Sequence, residues 1–322
     1  MKEIQDKLWA IGGGKGGVGK SVVSIMIGST LARQGKKVIL VDADLGGSNL
    51  HTLAGIKYPA YTLADFIQRK VENLEEVLMD TAVENMKLIC GADDILGIAN
   101  PKSTQKTRIF NHLRTLEADF ILLDLGAGTS FTSMDFFLYA PNKIVVLTPQ
   151  ITSIQNAYGF IKASMYRALN QHFRKDPQAR ELIKMASAAV DGESIDSIDK
   201  LKEAFMALED NQAEELNKFI KDLRIKIIVN MVRNVRERNV GQIVSTVARN
   251  YLCLELENLG IIEYDKILSQ SINNMAPFLQ EQRDSIAATS FYDIVCTLLE
   301  EDEKTETEKL SLQMTAPGTG SF

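Results

Sequence analysis

The sequence predicts an α/β fold: a doubly wound, mainly parallel sheet carrying a helical insertion. Three observations predict it. Apolar runs alternate with helically patterned segments from residue 7 to residue 262, a glycine-rich stretch joins the first such pair, and several apolar runs end in a polar residue or turn. The 322 residues are 45% hydrophobic and 24% charged, enough to bury a full core. Because the apolar runs are spread along the chain, one large domain over 1–300 is expected, with an insertion at about 171–223.

The first strand is expected at 7–11, Lys-Leu-Trp-Ala-Ile, running into Gly12-Gly13-Gly14. A helical pattern follows from Val22 to Gln34, with Gly35 suited to its C-cap. Between them, Gly14-Lys-Gly-Gly-Val-Gly-Lys-Ser21 fits G-x-x-x-x-G-K-[ST] in the order strand, loop, helix. Glycines let the backbone curl so that successive N–H groups face phosphate oxygens, and the following helix adds the positive end of its dipole. Lys20 is expected on the β- and γ-phosphates and the Ser21 hydroxyl on Mg²⁺. A second lysine, Lys15, directly follows the first glycine of the motif.

The second strand, 37–42, ends in Val41-Asp42-Ala43-Asp44. Carboxylates at i and i+2 of a strand share a face. Asp44, further into the glycine-containing loop, is assigned to positioning water, and Asp42 to structural support or the outer sphere of Mg²⁺. A third strand is expected at 86–90. The fourth, 119–124, closes as Phe120-Ile-Leu-Leu-Asp124, four apolar residues and an acid, so Asp124 is expected to hold Mg²⁺ through water. Gly126-Ala-Gly128-Thr129 follows, a loop able to bring backbone N–H groups to a γ-phosphate and so to sense it. Further strands are expected at 143–148, 225–230 and 258–262. Ligands of open α/β sheets bind beyond the carboxyl ends of the strands, so these motifs converge on one edge.

Residues 171–223 are polar, with helical spacing over 197–222 (Leu201, Phe205, Leu208, then Leu216, Phe219, Ile220), and read either as an extra helical pair or as a docking surface. From Glu300 the chain turns acidic, and 301–322 is expected to be disordered. Cys90, Cys253 and Cys296 are isolated in sequence, which disfavours disulfides and zinc and points to a reducing, cytoplasmic setting. No apolar run is long enough to span a membrane.

Together, Lys-Gly-Gly-Val-Gly-Lys-Ser with the extra Lys15, Val-Asp-x-Asp and Asp-x-x-Ala-Gly resemble the MinD/ParA group of ATPases, P-loop NTPases of SIMIBI type with a deviant Walker A motif. The resemblance covers roughly residues 5–170 and 224–298 and leans to the MinD-like branch containing the flagellar-number regulators FlhG and FleN. It implies ATP and Mg²⁺ as ligands, with phosphates cradled by Gly14, Lys15, Gly16, Gly17, Val18, Gly19, Lys20, Ser21 and Val22 and sensed at Gly128. It also implies slow hydrolysis and an ATP-bound homodimer in which Lys15 reaches the partner's phosphates. Asn230 matches the position that hydrogen-bonds adenine. Glu263 stands in the second base-contacting loop where the family commonly has proline, and Gly126 replaces a frequent proline in the sensing loop.

The output is left open by the same residues. A membrane-binding C-terminal helix needs a basic polar face, and the acidic tail lacks one. Arg233, Arg236, Arg238 and Arg249 offer phosphate contacts for nonspecific DNA binding, against a net charge of −6. The expected partner is a flagellar or polar protein that recruits the chain to membrane or pole. The alternatives are an iron–sulfur cluster carrier, another P-loop enzyme such as an amide-forming one, and a scaffold that binds ATP without hydrolysing it.

Overall fold

The computed structural model describes residues 7–47, 49–91, 100–188, 195, 197–208, 211–273 and 285–315. Eight strands form one sheet in the order β3-β4-β2-β5-β1-β6-β7-β8. They are β1 (Leu8–Gly12), β2 (Val38–Ala43), β3 (Leu78–Asp80), β4 (Met86–Ile89), β5 (Phe120–Leu125), β6 (Asn142–Leu147), β7 (Ile225–Val232) and β8 (Leu256–Glu263). All neighbours pair in parallel except β3, which runs antiparallel to β4 at one edge. The seven strands expected from the sequence are present. The eighth, β3, is Leu-Met-Asp, three residues and too short to show a pattern.

Both faces of the central strands are covered, which is why they read as continuous apolar runs. In β1, Leu8 and Ala10 enter one core, while Trp9 and Ile11 enter the other. The Trp9 side is filled by α1 (Lys20–Arg33) and by the last helix, α12 (Ile286–Thr315), through Val23, Ile27, Phe291 and Ile294. Along β2 and β5, Val38, Leu40, Phe120 and Leu122 also face this side. Strand alternation therefore turns Asp42 and Asp124 toward α1 as well.

Below β1 pack α4 (Ser103–Thr115), α5 (Phe131–Tyr139) and α6 (Ile151–His172), after the short α2 (Leu50–Leu53) and α3 (Leu63–Ile67). The segment read as an insertion holds α7 (Pro177–Ala188), α8 (Ile198–Met206) and α9 (Gln212–Asp222), three helices where a pair was expected. Ile183, Leu201, Phe205 and Leu216 are fully buried in the same core as α6, so this segment is part of the domain. It is followed by α10 (Val240–Leu252) and α11 (Lys266–Asn273). The acidic segment from Glu300, expected to be disordered, instead continues α12 to Thr315. Its Glu, Lys, Leu and Gln are good helix formers, and they extend a helix already anchored by the buried Phe291, Val295 and Leu298. The remainder of that tail, 316–322, lies outside the described residues.

At the opposite end of the sheet, Lys143 is buried and donates to the carbonyls of Ala140 (2.6 Å) and Pro141 (3.3 Å), just past the end of α5. Burial pushes this amine down to about 8 from 10.5. Between those values the unfolded chain holds more protons at this site than the folded one, so the Lys143 contribution to stability rises with pH across that window. The parent is therefore expected to gain on the order of 2 kcal/mol relative to Lys143→Met between pH 8 and pH 10, read from paired urea unfolding curves.

Candidate nucleotide site

The loop between β1 and α1 requires glycine at several of its positions. Gly17 and Gly19 have φ of 79° and 88°, left-handed values that a side chain disfavours. A Cβ on Gly14 would lie 1.8 Å from the Asn156 carbonyl oxygen of α6, so the loop rests directly on that helix. Lys15, Gly16 and Gly17 are exposed, whereas Val18 and Lys20 are buried. The first turn of α1 carries no acidic residue and no side-chain cap, which leaves its N–H groups open to an anion.

Three carboxylates stand opposite this turn. Asp42 and Asp124 are directly paired across β2 and β5 and are 1% and 2% exposed. Asp124 Oδ1 accepts from the Ser24 hydroxyl at 2.9 Å, and the Ser21 hydroxyl also bonds this carboxylate. Burial raises the Asp124 carboxyl to about 7, with the Asp42 charge adding to the rise; the Ser21 and Ser24 hydroxyls and the Lys20 charge oppose it. Asp42 works on backbone: Oδ1 accepts from Asp44 N (3.2 Å) and Oδ2 from Leu50 N (3.0 Å), which fixes the loop after β2. Asp44 Oδ1 accepts from Gly46 N at 3.3 Å, and its carboxylate lies so close to Gly126 that a Cβ there would come within 2.9 Å of it. Lys20 is pushed down by burial and held up by Asp124 and Asp44. Two buried carboxyl groups, the Ser21 hydroxyl beside one of them and an uncapped helix start form a donor set that fits Mg²⁺ and phosphate.

Gly14 to Ser21, Asp42, Asp44, Asp124 and the Gly126–Gly128 loop thus meet at the carboxyl end of β1. Gly128, at φ 82°, donates its N–H to Gly13 O at 3.2 Å, tying the sensing loop to the phosphate loop. Lys15 Nζ donates to Thr152 Oγ1 at 3.2 Å, near the start of α6. Asn230, two residues before the end of β7, lies beneath the phosphate loop, with Nδ2 donating to Val18 O and Oδ1 accepting from Met231 N, both at 2.9 Å. Glu263 ends β8, the edge strand, with its carboxylate ion-paired to Arg238. Of the four clustered arginines, Arg249 is likewise paired with Glu255, and Arg233 stacks on the Tyr264 ring at 4.5 Å. Sequence reasoning missed Ser24, Thr152 and Asn156. Only Ser24 had a local signal, standing three residues after Ser21 on the same helical face.

Comparison with known proteins bears on this geometry. A family model described as the CobQ/CobB/MinD/ParA nucleotide binding domain matches residues 9–278, the whole of the site included. The chain belongs to this family. Among its relatives, the antiactivator FleN of Pseudomonas aeruginosa is 32% identical over 154 residues, 48% of this chain and 54% of FleN. The septum site-determining protein MinD of Helicobacter pylori is 29% identical over 159 residues, 48% of this chain and 59% of that protein. The chain thus spans somewhat over half the length of the curated relatives it matches. In three dimensions, Pyrococcus horikoshii MinD complexed with Mg-ADP superposes with a TM-score of 0.61 at 21% identity, covering 90% of this chain and 94% of that one. The fold is that of a MinD P-loop NTPase, and the family, with its FleN-like branch, is the one the motifs resemble.

Proposed function

We propose that the chain is a Mg²⁺-dependent ATPase that works as a dimerisation switch and regulates the positioning or assembly of a cellular structure. One observation carries this reading: a single loop buries Lys20 against the carboxylates and holds Lys15 exposed at its rim. Lys20 and the α1 N-terminus are suited to their own nucleotide, and Lys15 to one held by a second copy. Mg²⁺, held by Ser21 and through water by Asp124 with Asp42 behind them, would neutralise charge on the β- and γ-phosphate oxygens. Asp44 orients the attacking water. The water oxygen bonds the γ-phosphorus as the bond to the bridging oxygen breaks, and the water protons leave with the inorganic phosphate and solvent, giving ADP and phosphate. The Gly128 N–H, bonded to Gly13 O, is the group whose partner would change when a γ-phosphate arrives.

The output follows by analogy with relatives named as an antiactivator and as septum site-determining proteins, and the partner we propose is a protein of a flagellar or polar system. Nonspecific DNA binding has less support, since Arg238 and Arg249 are neutralised within the chain. Among the described residues no helix is long and apolar enough to cross a membrane. The reading assigns recruitment from the cytoplasm to membrane or pole to that partner. Nothing in the arrangement of Cys90, buried, and Cys253 and Cys296, half-buried, favours a cluster carrier.

Light scattering tests the switch. A mass that doubles with ATP and not with ADP supports it, and a mass indifferent to nucleotide removes it. Lys15→Ala is expected to leave ADP affinity within about twofold, because only the exposed hydrogen bond to Thr152 is lost, while the ATP dimer weakens by tenfold or more, of order 1.4 kcal/mol. Sedimentation at graded concentrations measures both species.

A further inference from the structure

We infer that Ser24 is a positioning residue for Mg²⁺, acting through the Asp124 carboxylate. The inference rests on the nucleotide site proposed above and adds to it a group outside the phosphate motif.

Ser24 is fully buried on α1, one turn beyond Lys20. Its Oγ lies 3.0 Å from the Lys20 carbonyl oxygen and 2.9 Å from Asp124 Oδ1. A hydroxyl has one proton to give. An ionised carboxylate accepts it more strongly than a peptide carbonyl that already takes the Ser24 N–H of the helix, so Asp124 receives the larger share. The helix backbone seats the oxygen, and the carboxylate draws its proton. Neither contact leaves the side chain free to turn away.

What the contact does follows from where Asp124 stands. The carboxylate is 2% exposed and is paired in register with Asp42 on β2, a group of like charge. Two hydroxyls of α1 reach it, those of Ser21 and Ser24. In the proposed site the Ser21 oxygen is a ligand of Mg²⁺, which leaves Ser24 to the carboxylate. Mg²⁺ demands a near-ideal octahedron and keeps several of its waters, so a carboxylate that receives such a water serves it only in a fixed orientation. Ser24 supplies that orientation by holding Oδ1 against α1. The first turn of α1 faces the phosphates, and its second turn sets the acid. Without the hydroxyl, a buried carboxylate beside the charge of Asp42 has one donor fewer and is freer to turn.

The test separates metal from nucleotide by measuring ADP with and without Mg²⁺. Titration calorimetry is run in EDTA and at graded Mg²⁺ on the parent, Ser24→Ala, Asp124→Asn and the double variant, with unfolding curves for each. For Ser24→Ala the expected ADP affinity in EDTA is within about twofold of the parent, while the Mg²⁺ concentration giving half of the full Mg²⁺ effect rises about tenfold or more. In the Asp124→Asn background the same deletion is expected to move the Mg²⁺ response by less than about twofold, because its route to the metal is gone. A parental Mg²⁺ response in Ser24→Ala overturns the inference, whether or not the unfolding midpoint falls, because the serine is then only a tie between α1 and β5. An equal loss of affinity with and without metal also overturns it, as does a loss of full size in the Asp124→Asn background. A parent whose ADP affinity ignores Mg²⁺ removes the metal site itself, and this inference with it.

Discussion

Lys20→Ala is expected to lower ATP and ADP affinity at least a hundredfold. Lys20 is 8% exposed and stands between the uncapped start of α1 and the Asp124 and Asp44 carboxylates. Removing it leaves bound phosphate facing those two carboxylates with no lysine between, and truncating one side of a buried charge pair costs about 2–5 kcal/mol. A second effect points the same way. Lys20 holds the Asp124 carboxyl down against burial and the Asp42 charge, so its loss leaves Asp124 more fully protonated and a poorer partner for a cation. Calorimetric affinities within tenfold of wild type would mean that the phosphates bind elsewhere.

Asp44→Ala is expected to do the reverse, sparing binding and stopping turnover. Among the described residues the Asp44 carboxylate accepts one long hydrogen bond, from Gly46 N at 3.3 Å, so little of the described fold depends on it. It rests against Gly126, at the junction of the loops after β2 and β5, and it is one of two carboxylates acting on Lys20. A group placed there can align water on a γ-phosphate, and loss of such a group costs about 10²–10⁴-fold in rate. The expected result is an ATP-bound dimer that persists for hours by light scattering while phosphate release falls to background. Hydrolysis at the parental rate would take Asp44 out of the reaction.

The parts of the site that were legible in the sequence are those whose physics is local. Gly14, Gly17 and Gly19 announce a tight loop because no other residue fits it, and Phe120-Ile-Leu-Leu-Asp124 announces a buried strand delivering an acid because both faces are covered. Ser24 on Asp124 and Asn230 on Val18 are contacts between segments 100 and 212 residues apart, and neither spacing nor composition encodes them. The resemblance named Asn230 as a site residue, but it could not say which way the amide turns, toward Val18 and Met231. The tail misled for another reason. Its charge suggested disorder, while helix propensity and the anchored turns of α12 before it carried the backbone on to Thr315.

The prop beneath Val18 also orders events in time. A chain emerging from the ribosome completes its phosphate motif at Ser21, yet the strand that supports that loop is made some 200 residues later. Until β7 docks beside β6, the Val18 carbonyl has no amide to hold it and the loop is free to sample other turns. Pairing this distant in sequence is slow to form. Competence to bind nucleotide should therefore appear late in synthesis, in a single step. A ribosome stalled short of residue 230 would display the whole motif without the activity it advertises.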